Sequence, residues 1–490
     1  MTRGLLTTAL LATSIPTTAL VAGDWNQWRG PDRNGVASVS PQLIEQLPAG
    51  GLVPLWSVGD IPSAWTGGWG SPVVQNGRAY LFVHSRGKKE NLREPKREYP
   101  WVEPENRTDW TDEQFEEYEK HRRDEDEAIG KAVYSFQETL YCVDTRSGDT
   151  LWKSARDSVY TRFLQSGSPS VVDGKVFVLA AAYTVRSFDA HSGKPIWERR
   201  LPGEFRDEFR MASIAVIDGV AIVQAGRLFG IDARSGEVLW EGDAEHTEGS
   251  HSSPVSWRDG DDVLVIANAS GGKTVCVEPR TGKERWSVDS QAGLSTPVVV
   301  GRRLVTFGNS RKKGLRCFDL STGGAEHVWT YNRIADKGSS PVVVDGNVFV
   351  QGERRLACVD LETGEERWTT TLRLKSPQFT SLLAADDKVF YACEGLLAFE
   401  ATAQAYRPLV DGKFGEDGLL ATAKDHRRRL ALDELEKQAG GRKKAAELWA
   451  KSIGGSGPLE CASPAFFDGR LLLRTAKGLT CYDLRVRPRQ

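Results

Sequence analysis

The chain has 490 residues, of which 64 are Lys or Arg and 66 are Asp or Glu, so its formal net charge is −2. A balance this close to neutral excludes a chain-wide positive field for nucleic acid or for an anionic membrane surface. Beyond the N-terminal stretch, no segment approaches the ~20 consecutive apolar residues of a membrane-spanning helix, so we expect a soluble mature protein without a transmembrane segment.

The N-terminal stretch predicts a secretory signal. "MTRGLLTTALLATSIPTTALVAG" carries Arg3, then an uncharged run of Leu, Ala and Thr, then small residues before the first acid at Asp24. This is the layout of a cleavable signal peptide. We therefore expect residues 1–23 to be removed and residues 24–490 to form one periplasmic or secreted domain. An uncleaved disordered tail is the alternative. No Cys lies near the cleavage point, so nothing indicates a lipid anchor.

A short phrase then recurs along the chain. It reads "DTRSGDTLW" at 144–152 and returns at 189–197, 232–240, 278–286 and 360–368, with a longer copy at 319–329. Apolar residues precede each copy, the central Gly suits the positive φ of a tight turn, and the acid can accept hydrogen bonds from turn amides. Each copy therefore predicts a β-hairpin. Its defining residues are Asp144, Gly148, Trp152, Asp189, Gly193, Trp197, Asp232, Gly236, Trp240, Gly282, Trp286, Gly364 and Trp368.

A second hairpin lies upstream of each phrase. "SPVVVDGNVFVQG", beginning at Ser340, shows its pattern of two apolar runs around a Gly- or Asp-bearing turn. The other copies begin at Ser71, Ser168, Ser213, Ser253, Thr296, Ser381 and Ser463. Two hairpins make a four-stranded antiparallel sheet, and the chain therefore encodes eight such sheets.

The spacing of these units predicts the fold. From Trp152 to Trp368, successive phrase-ending tryptophans are 39 to 46 residues apart. A four-stranded unit of this size cannot bury both faces alone, whereas copies packed radially can, so we predict an all-β, eight-bladed β-propeller. The last unit ends before its outer strand, and "LVPLWSVGD" around Trp56 can supply it. The ring should thus close by pairing the N- and C-terminal segments.

The cysteines follow the repeat. Five of the seven, Cys142, Cys276, Cys317, Cys358 and Cys481, lie two residues before the acid of the phrase or its last remnant, Asp483. Other copies have Ser187, Gly230 and Ala398 there, which indicates a tight packing position. Equivalent positions on neighbouring sheets lie ~10 Å apart, beyond the ~7 Å limit for a disulfide. We expect mostly free, buried thiols.

Two charged insertions interrupt the regular spacing of the repeated hairpins. Residues 86–132 contain a predicted solvated helix, with acids early and Lys131 late. This insertion separates strands 2 and 3 of the first sheet and should lie on the face of the loops that join successive sheets. Residues 413–447 predict a second helical insertion, which we place between strands 3 and 4 of the seventh sheet and hence on the opposite face. Both are candidates for partner binding or for ordinary decoration.

The recurring pattern of a small residue, an acid, Ser or Thr, Gly and Trp resembles the pyrroloquinoline quinone (PQQ) repeat. Quinoprotein dehydrogenases share this repeat with the non-enzymatic BamB-like proteins of outer-membrane assembly. "DWNQWRGPDRNGVA" (24–37) is also similar to the start of many exported bacterial propellers. The resemblance implies a PQQ-like, BamB-like propeller, but the motif is architectural and leaves the function open.

Candidate ligand-binding residues lie in the loops that enter each "SP" strand, which should surround the mouth of the central channel. Trp65 and Trp69 offer flat stacking surfaces. The polar candidates are Gln165, Arg210, His251, Lys337, Gln378 and Glu460. The alternative is that these are variable surface loops around a water-filled channel.

The resemblance also implies a specific enzyme alternative, a PQQ- and Ca²⁺-dependent dehydrogenase of an alcohol or sugar. Such an enzyme needs oxygen ligands for Ca²⁺ and a flat sandwich around the quinone. The sequence has neither the adjacent Cys-Cys pair common in these enzymes nor a C-x-x-C-H haem site. A carbohydrate-binding propeller that uses the tryptophans is a third interpretation.

The leading prediction is an exported, non-catalytic scaffold that binds an envelope protein or a ligand. We expect it to bind no nucleic acid, cofactor or metal. We expect a monomer. The structural repeats are complete, whereas no set of catalytic residues is complete. This favours a binding protein over an enzyme.

Overall fold

The computed structural model describes residues 23–203, 211–249, 251–374, 377 and 379–486. The predicted signal peptide lies outside this part of the chain except for Gly23. Eight sheets form the described fold, each built on four antiparallel strands, and in seven of them the four strands are consecutive in the chain. The eight-bladed propeller predicted from the repeat is confirmed. In each blade, strand 1 lies at the central channel and strand 4 at the rim.

The first four blades follow the chain without interruption of their strand order. Blade 1 comprises Val73–Gln75, Arg78–Lys88, Tyr134–Asp144 and Thr150–Asp157. Blade 2 comprises Ser170–Val172, Lys175–Ala180, Thr184–Asp189 and Pro195–Arg200. Blade 3 comprises Ala215–Ile217, Val220–Gln224, Leu228–Asp232 and Val238–Glu241. Blade 4 comprises Val255–Asp259, Asp262–Ala269, Lys273–Val277 and Glu284–Asp289.

The remaining blades include the closure of the ring. Blade 5 comprises Val298–Val300, Arg303–Phe307, Leu315–Ser321 and Gly324–Tyr331. Blade 6 comprises Val342–Val344, Asn347–Gly352, Arg355–Asp360 and Glu366–Thr371. Blade 7 comprises Leu383–Ala385, Lys388–Tyr391, Leu396–Glu400 and Pro408–Phe414, extended by Val36–Ala37 and Leu420–Ala421. Blade 8 comprises Ala465–Phe467, Arg470–Thr475, Gly478–Asp483 and, from the N-terminal region, Trp56–Val58.

The pairing of Trp56–Val58 with Gly478–Asp483 confirms the predicted closure. Trp56 lies opposite Cys481 in an antiparallel register. Because the outer strand of blade 8 comes from the other end of the chain, blades 1 and 8 are held together without a free radial edge.

The tryptophans of the repeated phrase join each blade to the next. The indole Nε1 of Trp240 in blade 3 donates to the carbonyl oxygen of Pro279 in blade 4, 2.7 Å away. Its ring covers Gly282, where a Cβ would come within 2.4 Å of the indole. The same type of bond to a neighbouring turn is made by Trp56, Trp197, Trp286, Trp329 and Trp368. The phrase recurs because its Gly leaves room for the tryptophan of the preceding blade.

The acidic residues of the phrase stabilise these turns by accepting hydrogen bonds from turn amides, as predicted. The carboxylate of Asp144 accepts from the amides of Arg146 and Ser147, at 2.7 and 3.1 Å. Asp189 and Asp232 accept from turn amides in the same way. The acid therefore has a local structural task at the turn.

All seven cysteines are free, and six of them are buried. Cys142 lies opposite Trp152, and Cys276 lies opposite Trp286, in the strand 3 to strand 4 ladder. Burial raises the pKa of the Cys276 thiol to about 12. The prediction of free, packed thiols is confirmed for the five cysteines of the repeat, and Cys461 is the exposed exception.

The first insertion contains helix α1, Asp112–Val133. Thr111 and Gln114 form a capping box at its start, and Lys131 lies in its last turn. Glu119 on this helix lies 3.8 Å from Arg162 in the loop that joins blades 1 and 2. The insertion therefore lies on the face of the blade-joining loops, as predicted. We call this side of the propeller the mouth face.

The second insertion does not lie where the sequence predicted it. Its helices are α3 (Ala423–Arg429), α4 (Leu432–Glu436) and α5 (Gly441–Ser452). They follow the outer strand of blade 7, Pro408–Phe414, and do not interrupt blade 7 between strands 3 and 4. They belong to the connection between blades 7 and 8, where Pro458 bridges Thr475 at the strand 2 to strand 3 turn of blade 8. Both insertions thus lie on the mouth face.

Three shorter helices complete the described structure. Helix α2 spans Ala244–Thr247, and single 3₁₀ turns span Pro104–Asn106 and Ser270–Gly272. Within the described residues, no helix is both long and apolar enough to cross a membrane.

Residues 24–37, which we call the channel segment, fill the central channel. Trp25 exchanges two backbone hydrogen bonds of 2.8 Å with Val74 of blade 1. The chain then turns and returns along blade 7, where Val36–Ala37 pairs in parallel with Leu383–Ala385. The alternative of an open, water-filled channel is therefore wrong where this segment crosses it.

Candidate functional site

A cavity of about 340 Å³ opens at the mouth of the channel. It lies above the channel segment and between the loops that enter strand 1 of the blades. Its lining residues are Trp28, Trp65, Trp69, Ser71, Phe163, Ser166, Ser168, Met211, Ser213, His251, Ser253, Leu294, Thr296, Gly338, Phe379 and Cys461. Aromatic and aliphatic side chains form the walls, and hydroxyl groups surround the floor.

The structure places three of the predicted ligand-binding residues in this lining, namely Trp65, Trp69 and His251. Gln165 lies in a mouth loop but is buried, with 1% of its surface exposed. Lys337 and Glu460 are exposed on neighbouring mouth loops and are not among the lining residues. Arg210 and Gln378 lie outside the described residues.

Trp65 and Trp69 meet edge to face. Their ring centroids are 5.2 Å apart and their planes are inclined by 86°. Trp65 is 62% exposed, whereas Trp69 is half-buried. The backbone amide of Trp69 donates to the hydroxyl of Ser166 at 2.8 Å. One tryptophan is therefore fixed by the neighbouring loop, and the other presents its surface to solvent.

A buried arginine supports the loop that carries these tryptophans. The guanidinium of Arg474 in blade 8 donates to the carbonyls of Gly70, Pro62 and Gly67, at distances from 2.7 to 3.0 Å. Only 1% of its surface is exposed, and burial lowers its pKa to about 9. The wall formed by Trp65 and Trp69 is thus anchored from beneath.

Below the walls a chain of hydrogen bonds follows the circumference of the channel from blade 8 to blade 7, and we call it the hydroxyl ring although no link joins Ser381 to Ser463 among the described residues. Each link joins the backbone amide at the start of one blade to the hydroxyl at the start of the next. Seven links of 2.8 to 3.0 Å connect Ser463, Ser71, Ser168, Ser213, Ser253, Thr296, Ser340 and Ser381 in that order. The Ser or Thr that opens each "SP" strand therefore links neighbouring blades as well as marking a strand.

Two arginines of the channel segment lie below this ring. Arg33 donates to the carbonyls of Ser213 and Ile214, at 2.9 and 2.8 Å. Arg29 donates to the carbonyl of Pro341 on the other side of the channel. Both are almost fully buried, and burial lowers the pKa of each to about 9. Both guanidinium groups therefore stay charged at neutral pH.

Several residues of the cavity were not predicted from the sequence. Trp28 belongs to the channel segment. The sequence of this segment is polar and non-periodic, so it does not indicate that the segment lies in the central channel. The others are Phe163, Met211, Leu294, Phe379 and Cys461. Each lies in or beside a mouth loop that the repeat does locate, but loop sequences alone do not show which side chains turn inward.

The described lining carries no formal charge apart from what His251 can acquire. It contains no Lys, Arg, Asp or Glu. No group of three or more His, Cys, Asp or Glu side chains that could hold a metal ion occurs among the described residues. This chemistry suits binding through apolar contact and hydroxyl hydrogen bonds.

Comparison with known families matches residues 130–331 and 324–403 to the model described as outer membrane protein assembly factor BamB. The two stretches together span more than half of the chain. The chain belongs to the BamB family. Curated relatives with that name include those of Moranella endobia and Shewanella oneidensis, which are 23% and 24% identical over 253 and 255 residues.

Those alignments cover 46% of this chain and 62% and 60% of the two relatives. The chain thus matches somewhat less than two thirds of their length. Among solved structures, the quinohemoprotein alcohol dehydrogenase of Comamonas testosteroni superposes with a TM-score of 0.52 at 12% identity, over 96% of this chain and 81% of that one. At this identity the likeness concerns the fold alone.

Proposed function

We propose that this BamB-family propeller is an exported, non-catalytic binding protein of the cell envelope. One observation carries the proposal: the mouth cavity is walled by aromatic side chains and closed behind by the channel segment. Within the described residues, a ligand or partner segment can therefore enter and leave this cavity from the mouth face only. An apolar, concave site of this kind is the usual form of a binding site.

The partner we propose is a protein of the envelope, and the process is outer-membrane protein assembly. Two features support this choice. The relatives carry the name of outer membrane protein assembly factors. In addition, both helical insertions lie on the mouth face, so the face with the cavity is also the face with the largest added surface.

The donors present do not fit PQQ with Ca²⁺. A calcium ion needs six to eight oxygen ligands, several of them carboxylates, and the described lining offers no carboxylate. The quinone carries three carboxylates, whereas the described lining has no Lys or Arg and the described structure places two guanidinium groups, those of Arg29 and Arg33, below it. We therefore derive no redox step for this site.

The proposal is tested by deleting the gene in its own organism and measuring outer-membrane protein levels and the location of the tagged protein. We expect an envelope location and a lowered level of outer-membrane proteins, restored by the wild-type gene. Trp65→Ala should restore it poorly. Val39→Ala is the matched control, because Val39 is equally exposed at 62% but follows Ala37, which pairs with Ala385 at the strand 1 to strand 2 turn of blade 7, on the opposite face.

A cytoplasmic location, or full restoration by Trp65→Ala, would contradict the proposal. A separate calorimetric titration with PQQ and Ca²⁺ addresses the dehydrogenase alternative. We expect no heat of binding and no dye-coupled oxidation of alcohols or sugars. Stoichiometric binding with turnover would make the protein an enzyme.

A further inference from the structure

Five members of the hydroxyl ring line the mouth cavity: Ser71, Ser168, Ser213, Ser253 and Thr296. Each hydroxyl oxygen already accepts an amide proton from the preceding blade. Among the described residues, none of the five donates its own proton to an acceptor. All five residues are at least nine-tenths buried. The cavity floor is thus surrounded by hydroxyl donors that no described residue uses.

The charge beneath the ring has the sign that an anion requires. Arg29 and Arg33 donate hydrogen bonds only to carbonyl or amide oxygens of the described residues, and neither forms an ion pair there. Asp32, at the exposed tip of the channel segment, pairs with neither guanidinium. Two buried positive charges without carboxylate partners favour a negative group above them, because the low-dielectric surroundings screen them weakly.

The walls above the ring have a different chemistry. Trp65, Trp69, Phe163, Leu294 and Phe379 present apolar surface, and the volume of about 340 Å³ is that of a small organic molecule or of one or two side chains. A bare inorganic anion would leave these walls in contact with water. A purely apolar ligand would leave the hydroxyl donors without acceptors, which is costly for buried polar groups.

We infer that the mouth cavity binds an apolar group that carries a single carboxylate, with the carboxylate on the hydroxyl ring and the apolar body against Trp65 and Trp69. This inference rests on the proposed binding function and names the ligand class. The carboxylate can belong to a free organic acid or to the terminus of a partner chain. Either source would place two carboxylate oxygens against the same ring hydroxyl groups.

The test is a calorimetric titration of the full chain with 3-phenylpropanoate and with its neutral amide. Acetate serves as the carboxylate without an apolar body. We expect the acid to bind at least tenfold more tightly than the amide and acetate to show no saturable binding. N-acetyl-leucyl-leucine and its C-terminal amide distinguish the two sources, because a site for chain termini prefers this peptide to the free acid.

Thr296→Val tests the ring directly, since it removes a cavity hydroxyl and keeps the side-chain shape. We expect at least fivefold weaker binding of phenylpropanoate and unchanged binding of the amide. Ser340→Ala is the matched control. Ser340 accepts the amide of Thr296 at 3.0 Å just as Thr296 accepts that of Ser253, but Ser340 does not line the cavity. A folding defect common to ring variants would weaken both.

Equal affinity for acid and amide, or equal effects of Thr296→Val and Ser340→Ala, would overturn the inference. So would the absence of any probe binding by the wild-type chain. Trp65→Ala should weaken binding of phenylpropanoate and of its amide and, as a surface change, leave the fold intact. If the titrations contradict the inference while the gene-deletion test gives the expected result, the proposed envelope role still holds and only the ligand class is wrong.

Discussion

The guanidinium of Arg33 lies 2.9 Å from the carbonyl oxygen of Ser213 and donates a hydrogen bond to it. This bond ties the channel segment to blade 3, which is 180 residues later in the chain. Together with the pairing of Val36–Ala37 with blade 7, it fixes a polar segment inside the centre of the propeller. The segment closes the cavity from behind and places two positive charges below the hydroxyl ring.

Arg33→Met should destabilise the protein by about 2–4 kcal/mol. The substitution leaves the buried carbonyls of Ser213 and Ile214 without their charged donor, and an unsatisfied buried acceptor costs about 1–3 kcal/mol. Chemical denaturation measures the difference. Arg234→Met, at an exposed arginine, should change the stability by no more than about 0.5 kcal/mol. Equal stability of the two variants would show that the channel segment contributes nothing to the fold.

Gly282→Ala should destabilise the protein far more than Gly260→Ala. Both glycines have positive φ, 69° and 61°, so an alanine pays a similar backbone cost of about 1–2 kcal/mol at either position. At Gly282, however, the added Cβ would lie 2.4 Å from the indole of Trp240, whereas at Gly260 nothing lies within 4 Å. Thermal unfolding should separate the two variants by several degrees. Matching melting temperatures would refute the role of the tryptophan contact.

The contact between Gly282 and Trp240 also explains why the sequence predicted the fold so well. The small residue, the turn and the tryptophan must recur at every blade junction, because each junction repeats the same packing. The spacing of the repeat therefore predicts the number of blades and the closure of the ring. The hydroxyl ring left a similar trace, in the Ser or Thr that begins each inner strand.

The features that sequence reasoning missed have no repeating partner. Trp28 and Arg29 belong to a polar segment without hydrophobic periodicity, and Arg29 contacts Pro341, 312 residues away. Blade 7 also lacks its tryptophan: Val410 stands opposite Ala398. Without that marker, the outer strand Pro408–Phe414 was not recognised, and the second insertion was assigned to the wrong face.

Acid should destabilise the protein through His84. Burial lowers the pKa of His84 to about 4, against about 6.5 in an unfolded chain. The unfolded state therefore takes up a proton first as the pH falls, so the stabilisation present above pH 6.5 is lost between about pH 6.5 and 4. The loss approaches about 3 kcal/mol. Denaturation at pH 7 and 4.5 should show a smaller acid effect in His84→Gln, and an identical effect would contradict this assignment.

Thiol labelling should distinguish Cys461 from the cysteines of the repeat. Cys461 is exposed at the cavity mouth, whereas Cys317 and Cys358 are buried. Burial raises the pKa of all three thiols to about 12, so access of the reagent, and not thiol ionisation, separates them. A maleimide at pH 7 should therefore label Cys461 first in the native protein, and mass spectrometry identifies the site. Denatured protein, in which all seven thiols should react, is the control. Rapid native labelling of Cys317 would contradict the packing described here.

The central claim is that the mouth face is the binding face, and site-specific photo-crosslinking in intact envelopes tests it most directly. A photoreactive amino acid replaces Trp65 in one variant and Val39 in another, since the two side chains are equally exposed on opposite faces. We predict a defined crosslinked species from position 65 that competing 3-phenylpropanoate diminishes, and none from position 39. Crosslinking from position 39 alone, or from neither position, would contradict binding at the mouth.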